Sequence, residues 1–201
     1  MNMDIAPCAP NGVRPGHGDK LIYLMGASGS GKDTLLRHVR ANLKPDEPVL
    51  VAHRYITRPS GTDEASVCLS VAEFEHRAAM GCFALHWASH GLRYGIGVEI
   101  DAWLAGGAVV IINGSRAHLA AAYTRYPGLA AVEIRVAPEV LARRLAHRGR
   151  ETPTQISARL QRASWSFDLP AQHPVTRLAN DGPPEGAARQ LLAVVRDRLA
   201  A

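Results

Sequence analysis

Residues 21–32 read LIYLMGASGSGK, a short apolar run that leads into a loop rich in glycine and serine. The apolar run, residues 21–25, is typical of a buried strand that ends in a turn. In the next segment, TLLRHVRANL (residues 34–43), the leucine and valine residues recur at helical spacing. The loop from Gly26 to Lys32 thus has the pattern G-x-x-x-x-G-K between a strand and a helix, which predicts a phosphate-binding P-loop.

The chemistry of this loop is anion binding. Glycines let the backbone curl so that several N–H groups point at one anion, and the following helix adds the positive end of its dipole. Lys32 supplies a mobile positive charge for the β- and γ-phosphates of ATP, so we expect it to be catalytic. The predicted ATP contacts in this segment are Gly26, Ala27, Ser28, Gly29, Ser30, Gly31, Lys32, Asp33 and Thr34.

Asp33 departs from the usual pattern, in which Ser or Thr follows the lysine and binds magnesium through its hydroxyl. A carboxylate is also a hard oxygen ligand, and it can hold the metal directly or through water. We therefore expect Asp33 to be the metal-binding residue of a Mg²⁺-dependent site, with a catalytic role.

The rest of the chain alternates apolar runs with helical patterns. This alternation predicts a parallel sheet covered on both faces, that is, a three-layer α/β sandwich. Ser70 and Glu73 suit a capping box at the start of a helix that reaches about Met80. Strands are predicted at 21–25, 49–53, 108–112, 131–136 and 175–178, and helices at 34–43, 70–80, 118–126, 139–147, 154–166 and 185–199.

The bulk properties fit one globular domain. The chain has 201 residues, of which 47% are hydrophobic and 20% charged, enough for a packed core. Residues 1–19 are rich in Pro and Gly and are predicted to be a flexible tail that precedes a kinase-like domain at 20–201. No apolar run approaches the roughly 18 residues that span a bilayer, and no signal peptide is visible, so a cytoplasmic protein is expected.

The net charge of +5 attracts anionic partners. The basic residues form no continuous run, and aromatic residues make up only 5% of the chain. A nucleic acid and a phosphate-rich small molecule explain this charge equally well. The three cysteines form no CxxC pair, and the nine histidines have no metal-ligand spacing, which argues against a disulfide framework or a zinc site.

Five segments occur together and in order: GASGSGKDTLL (26–36), VAHRYITRP (51–59), YGIGVEID (94–101), NGSRAHL (113–119) and RGRE (148–151). This set resembles the ribose 1,5-bisphosphate phosphokinases of bacterial phosphonate degradation, a family within the guanylate-kinase-like P-loop kinases. The resemblance covers everything but the tail. It implies that ATP and ribose 1,5-bisphosphate react to give ADP and 5-phosphoribosyl 1-diphosphate. It also implies an acceptor-binding subdomain at about 54–97 and a lid at about 143–159.

The sequence departs from guanylate kinases at two positions that bear on the acceptor. Alignment puts Leu85 where those enzymes carry a glutamate that contacts guanine, and Arg54 where they carry a serine. A leucine cannot accept hydrogen bonds from the guanine edge, so GMP is disfavoured as the acceptor. Arg54 instead adds a planar cation suited to a second phosphate.

The same resemblance suggests the remaining site residues. Arg54, Arg58 and Tyr94 are predicted to grip the phosphates of the acceptor. Glu99 and Asp101 are expected to reach the acceptor hydroxyls or the metal shell, Asn113 to orient the acceptor or a water, and Arg116 to contact a phosphate. Arg148 and Arg159 match the lid arginines best and are predicted to be catalytic, since closing arginines stabilise the transferred phosphoryl group. Arg144 and Arg150 are further lid candidates, Arg144 as an ATP contact, and Asn180 is expected to border the adenine.

Other readings stay open at this point. A guanylate-type nucleoside monophosphate kinase and a non-catalytic nucleotide-binding module of the same fold are the alternatives. The expected partner is a small phosphorylated sugar rather than a nucleic acid or a membrane. The oligomeric state is open, with a homodimer as one option.

Overall fold

The core of the protein is a five-stranded parallel sheet. The computed structural model describes residues 17–59, 65–89, 91–147 and 174–201, together with Ser157, Leu160 and Gln161. Within them, the strand order of this sheet is β2-β7-β1-β8-β9, and every neighbouring pair is parallel. The strands are Leu21–Gly26 (β1), Val49–Val51 (β2), Val109–Asn113 (β7), Ala130–Arg135 (β8) and Val175–Ala179 (β9).

Helices cover both faces of this core sheet, because its central strands are apolar on both sides. The described helices of eight or more residues are Lys32–Asn42 (α1), Val71–Ala79 (α2), Pro138–His147 (α5) and Pro184–Ala200 (α6), and the shorter ones are Glu99–Ala105 (α3) and Leu119–Arg125 (α4). Helices α1 and α6 pack on one face, through buried residues such as Leu35 and Leu191. Helices α3 and α4 pack on the other, through residues such as Ile100 and Leu119. The predicted three-layer α/β sandwich is confirmed.

A second, four-stranded sheet has the order β4-β3-β6-β5. Its strands are Arg54–Ile56 (β3), Ser66–Cys68 (β4), Phe83–Ser89 (β5) and Leu92–Gly97 (β6). Strand β6 pairs antiparallel with both β3 and β5, and the register shifts between Phe83 and Leu85. This sheet therefore spans residues 54–97, the segment expected to hold the acceptor.

The two faces of the second sheet differ. On the outer face, helix α2 packs through Phe74, whose ring stacks on Phe83 at a centroid distance of 4.6 Å. The capping box that begins α2 forms as predicted, since the Glu73 amide donates to the Ser70 hydroxyl. On the inner face, Leu85 and Ile96 join the core cluster that also holds α3 and α4.

The first described residues lie beside α6, the closing helix. Residues His17–Lys20 form a short 3-10 turn, so regular structure begins slightly before the boundary expected at residue 20. Arg198 of α6 donates to the carbonyl of Asp19 at 2.7 Å, which ties this turn to the closing helix. Among the described residues, no helix is both long and apolar enough to cross a bilayer. The helix predicted at 154–166 lies almost entirely outside those residues.

Candidate active site

The P-loop connects the carboxyl end of β1 to the first turn of α1. Gly29 and Gly31 both adopt φ of +90°, a left-handed backbone that glycine enters without steric cost. A Cβ at Gly31 would come within 2.6 Å of the Asn180 side-chain nitrogen, so this glycine is also required by close packing. The loop therefore curls as an anion cradle demands.

Lys32 lies over this cradle. Its Nζ donates to the carbonyl oxygens of Gly26 and Ala27, at 2.9 and 3.0 Å. The positive charge is thus held beside the loop amides at the start of a helix, where an anion is favoured. Ser28 belongs to the loop, and Thr34 lies in the first turn of α1.

Asn180 supports the loop from the end of β9, two strands away from β1 in the core sheet. It follows β9 directly. Its side-chain Nδ2 donates a hydrogen bond of 2.8 Å to the carbonyl of Ser30, and its backbone N–H donates to the carbonyl of Arg135. Ser30 and Asn180 are both buried. The side chain expected to border the adenine is therefore in contact with the P-loop backbone, where it fixes the loop's shape.

Arg144, on α5, approaches the same loop. Its Nη2 lies 3.4 Å from the carbonyl of Gly182, and its buried Nη1 has no hydrogen-bond partner in the described part of the chain. The Nη1 also lies 3.9 Å from the position that a Cβ of Gly31 would take. This donor is suited to an anionic ligand seated in the loop.

Asp33 and Asn113 meet at the carboxyl ends of the strands. The Asn113 Nδ2 donates to Asp33 Oδ1 at 2.9 Å, although the two residues are 80 positions apart. Because a carboxylate only accepts hydrogen bonds, the amide nitrogen must face Asp33 and the amide oxygen must point away. Asn113 is 4% exposed, and in the described structure its Oδ1 has no hydrogen-bond partner. Two hard oxygen atoms are therefore placed beside the P-loop.

Tyr23 holds the loop that carries Asn113. Its hydroxyl donates to the carbonyl of Ser115 at 2.8 Å and accepts from the Ser115 amide at 2.9 Å. Burial raises the pKa of Tyr23, with the Ser115 hydrogen bond opposing the shift, so the hydroxyl stays protonated. Gly114 faces the Tyr23 ring, where no Cβ would fit. A buried tyrosine of the central strand thus sets the path of the chain after β7.

Arg116 lies one turn beyond Asn113 and contacts Glu133 of β8 rather than the crevice. Its Nη1 is 3.9 Å from the Glu133 carboxylate, which Arg135 and Arg177 also approach, at 3.6 and 3.5 Å. Burial lowers the pKa of Arg116, and the Glu133 charge opposes that shift. Among the described residues, the cluster has three guanidinium groups to one carboxylate. It lies beside the end of β1, since Glu133 is in register with Met25.

A narrow crevice runs between α1, the end of β7 and the second sheet. Its charged and amide residues are Asp33, Arg40, Arg54 and Asn113. Arg40, which lies two turns after Asp33 on α1, was not among the site residues predicted from the sequence. Burial lowers the pKa of Arg40, while the Asp33 charge acts in the opposite direction. Among the described residues, the crevice thus carries two guanidinium groups and one carboxylate, and guanidinium groups favour phosphate oxygens as partners.

The guanidinium of Arg54 lies over the Tyr94 ring, 5.4 Å from its centroid. Two of the three predicted phosphate-gripping residues therefore stand together on the inner face of the second sheet. Arg58 follows β3, and its Nη1 donates to the carbonyl of Pro59. Leu85, which was predicted to take the place of the guanine-contacting glutamate of guanylate kinases, is 4% exposed within the core.

The two acidic candidates of α3 lie elsewhere. The Glu99 carboxylate covers Gly97 on the side where a Cβ would stand, the same side of β6 on which the Phe83 ring covers Gly95. It therefore faces α2, on the outer side of the second sheet. Asp101 accepts hydrogen bonds from Arg125 and Tyr126, at 2.7 and 2.6 Å, and so joins α3 to α4. The expectation that Asp101 reaches the acceptor or the metal is not supported by this placement.

Arg148, Arg150 and Arg159 lie outside the described residues, as does most of the predicted lid.

The chain is similar in sequence to proteins of one named family. The chain is 64% identical over 187 residues to the ribose 1,5-bisphosphate phosphokinase PhnN of Achromobacter xylosoxidans, covering 93% of this chain and 97% of the relative. It is 52% identical over 178 residues to the enzyme of the same name from Burkholderia mallei, covering 88% and 95%. No protein-family model matches.

Among solved structures, the guanylate kinase of Anaplasma phagocytophilum superposes with a TM-score of 0.63 at 16% identity, covering 90% of this chain and 87% of that one. At this identity the likeness concerns the fold alone. It agrees with a parallel P-loop sheet flanked by helices.

Proposed function

The chain belongs to the family of ribose 1,5-bisphosphate phosphokinases, and from this premise we propose that it transfers the γ-phosphoryl group of ATP to ribose 1,5-bisphosphate. The products are ADP and 5-phosphoribosyl 1-diphosphate. In the cell this reaction serves phosphonate breakdown and the supply of activated ribose phosphate.

The observation that carries the proposal is the pairing of a P-loop with a crevice lined by guanidinium groups. Lys32 lies at the loop, and Arg40 and Arg54 line the crevice beside it. Guanidinium groups form planar, charge-assisted hydrogen bonds with phosphate oxygens, so this site suits an acceptor recognised by its phosphates. Leu85, predicted to replace the guanine-contacting glutamate of guanylate kinases, is buried in the core.

In the proposed reaction, an oxygen of the acceptor's 1-phosphate attacks the γ-phosphorus of ATP in line. The bond from that phosphorus to the β–γ bridging oxygen breaks, and its electron pair stays on ADP. No covalent enzyme intermediate is needed, so catalysis consists of positioning and charge stabilisation. Lys32 donates to the β- and γ-phosphates from its position at the loop, and Arg54, Arg58 and Tyr94 hold the acceptor.

Magnesium fits the residues present beside the P-loop. Asp33 offers a carboxylate and Asn113 an amide oxygen with no partner in the described structure, and Mg²⁺ takes few protein ligands beside phosphate oxygens and water. When bound, the ion would neutralise charge on the β- and γ-phosphate oxygens. We assign Asp33 as the metal-binding residue and Asn113 as the group that orients it.

Asp33→Asn tests the metal assignment. We expect it to remove most of the difference between the Kd for ADP measured with Mg²⁺ and that measured with a chelator, because the charged oxygen ligand is lost. Asp46→Asn, in an exposed turn after α1, is the matched control and should keep that difference. If Asp33→Asn responds to Mg²⁺ as the unmodified protein does, Asp33 is not the metal-binding residue.

Product analysis tests the function itself. Purified protein, ATP and Mg²⁺ are mixed with ribose 1,5-bisphosphate, and phosphorus NMR follows the products. The proposal expects ADP and a diphosphate on carbon 1 in equal amounts. ADP release without that diphosphate, or turnover with GMP alone, would refute it.

A further inference from the structure

Four side chains stack in series across the inner face of the second sheet. The Arg54 guanidinium lies 5.4 Å from the Tyr94 ring, which stacks on Trp87 at 5.6 Å with an interplanar angle of 8°. Trp87 in turn stacks on His118 at 5.5 Å and 26°. We refer to Arg54, Tyr94, Trp87 and His118 as the aromatic stack.

The aromatic stack joins the two sheets. Tyr94 and Trp87 are direct partners on β6 and β5, and Arg54 lies on β3, so three members belong to the second sheet. His118 belongs to the turn after β7 of the core sheet, the segment that Tyr23 fixes through Ser115. The stack thus connects the acceptor-side arginine to the part of the core that carries Asn113.

Stacking and hydrogen bonding use different parts of a guanidinium. Its flat face packs on an aromatic ring, and its N–H groups lie in the plane, directed outward toward a carboxylate or phosphate. A ring beneath Arg54 therefore restricts the orientation of the guanidinium without competing for its donors. Because Trp87 lies parallel to Tyr94, it restricts that ring in the same way.

We propose that Trp87 and His118 are positioning residues for acceptor binding, which orient Arg54 through Tyr94 toward a phosphate group of the acceptor. The inference rests on the proposed function and extends it to two residues that do not line the crevice. His118 stacks as a neutral ring, since burial lowers its pKa and the nearby His86 lowers it further. Trp87 is partly buried and packs against the core cluster, which restricts the position of its ring.

Trp87→Leu is the direct test. We expect the KM for ribose 1,5-bisphosphate to rise about tenfold, with the Kd for ADP unchanged, because the cation–π support of Arg54 is lost while the P-loop is untouched. Trp87→Phe keeps a stacking ring and should restore most of the loss. Trp103→Leu, a matched change in α3 beside the same core cluster, should leave the acceptor KM unchanged.

A double-mutant cycle separates positioning from general packing. In an Arg54→Ala background, Trp87→Leu should raise the acceptor KM less than twofold further, because no guanidinium remains to be oriented. Full additivity of the two effects, or an equal loss of ADP affinity, would overturn the proposal. If Trp87→Leu does not fold, His118→Leu is put through the same cycle, since it removes the other end of the stack from a partly exposed turn.

The outcomes also distinguish this inference from the proposed function. A protein that turns over ribose 1,5-bisphosphate normally after Trp87→Leu retains the proposed function and lacks the positioning role. A protein that phosphorylates only GMP lacks the proposed function, and the cycle is then measured with GMP, where additivity again overturns the positioning role.

Discussion

Lys32 is the residue on which phosphoryl transfer depends most in this account. Its ammonium donates to the carbonyls of Gly26 and Ala27, so the charge already lies at the loop that would hold the phosphates. Electrostatic groups held in place before the reaction need little reorganisation when charge develops. The neighbouring Asp33 accepts a hydrogen bond from the Asn113 side chain, which places the Asp33 carboxylate at the carboxyl ends of the core strands.

Lys32→Ala is expected to lower kcat by about 10²- to 10³-fold, because a preorganised charge is removed from the transferred group. The thermal unfolding midpoint should stay close to that of the unmodified protein. Lys44→Ala, in an exposed turn, is the matched control and should leave kcat unchanged. A Lys32→Ala variant with normal kcat would show that the P-loop lysine has no part in the reaction.

Single residues were predictable from sequence where a local motif fixes them. The P-loop residues follow from G-x-x-x-x-G-K alone, since the loop, the strand and the helix are contiguous. The bond between Asp33 and Asn113 joins residues 80 positions apart, and no local pattern predicts such a pair. The binding of Asp101 by Arg125 and Tyr126 was missed for the same reason.

At the scale of elements, the end of β7 brings Asn113 to the crevice, and the turn after it carries His118 of the aromatic stack. Asn113 ends the strand, and Arg116 and His118 follow within a few residues. The Tyr23 hydroxyl satisfies both the amide and the carbonyl of Ser115, so the central strand dictates where this turn begins. A change in Tyr23 should therefore act on stability and on the site together.

Tyr23→Phe is expected to lower the free energy of unfolding by about 1–3 kcal/mol, because the Ser115 amide loses its hydrogen-bond acceptor and the Ser115 carbonyl keeps only the His118 amide as a donor. Urea denaturation measures this change. Tyr55→Phe is the control, since the Tyr55 ring lies on the partly exposed outer face of the second sheet, and it should change stability by less than about 0.5 kcal/mol. Equal effects of the two variants would contradict the structural role given to Tyr23.

The core sheet could be predicted element by element, and the second sheet could not. Buried parallel strands are continuous apolar runs, as in β1 and β7, so they are visible in the sequence. Strands β3 and β4 have only three residues each, and β5 and β6 are interrupted by glycines and a register shift. The residue range 54–97 came from family resemblance, and the pairing of its strands required the structure.

At the scale of the whole molecule, the second sheet stands over the carboxyl ends of the core strands, where open α/β sheets bind ligands. The P-loop and Asn180 lie at the carboxyl ends of core strands. Arg54 faces Asp33 and Asn113 from the second sheet. The aromatic stack connects the two sides. Under the proposed function, the core sheet binds the nucleotide and the second sheet selects the acceptor.

The proposed preference for ribose 1,5-bisphosphate over GMP is measured by the ratio of the kcat/KM values for these two acceptors. Both acceptors are measured in parallel with the same enzyme, ATP and Mg²⁺. We predict a ratio of about 10²-fold or more in favour of ribose 1,5-bisphosphate, because Leu85 gives guanine no acceptor while Arg54 gives a second phosphate its donor. A ratio near one, or a preference for GMP, would contradict the account.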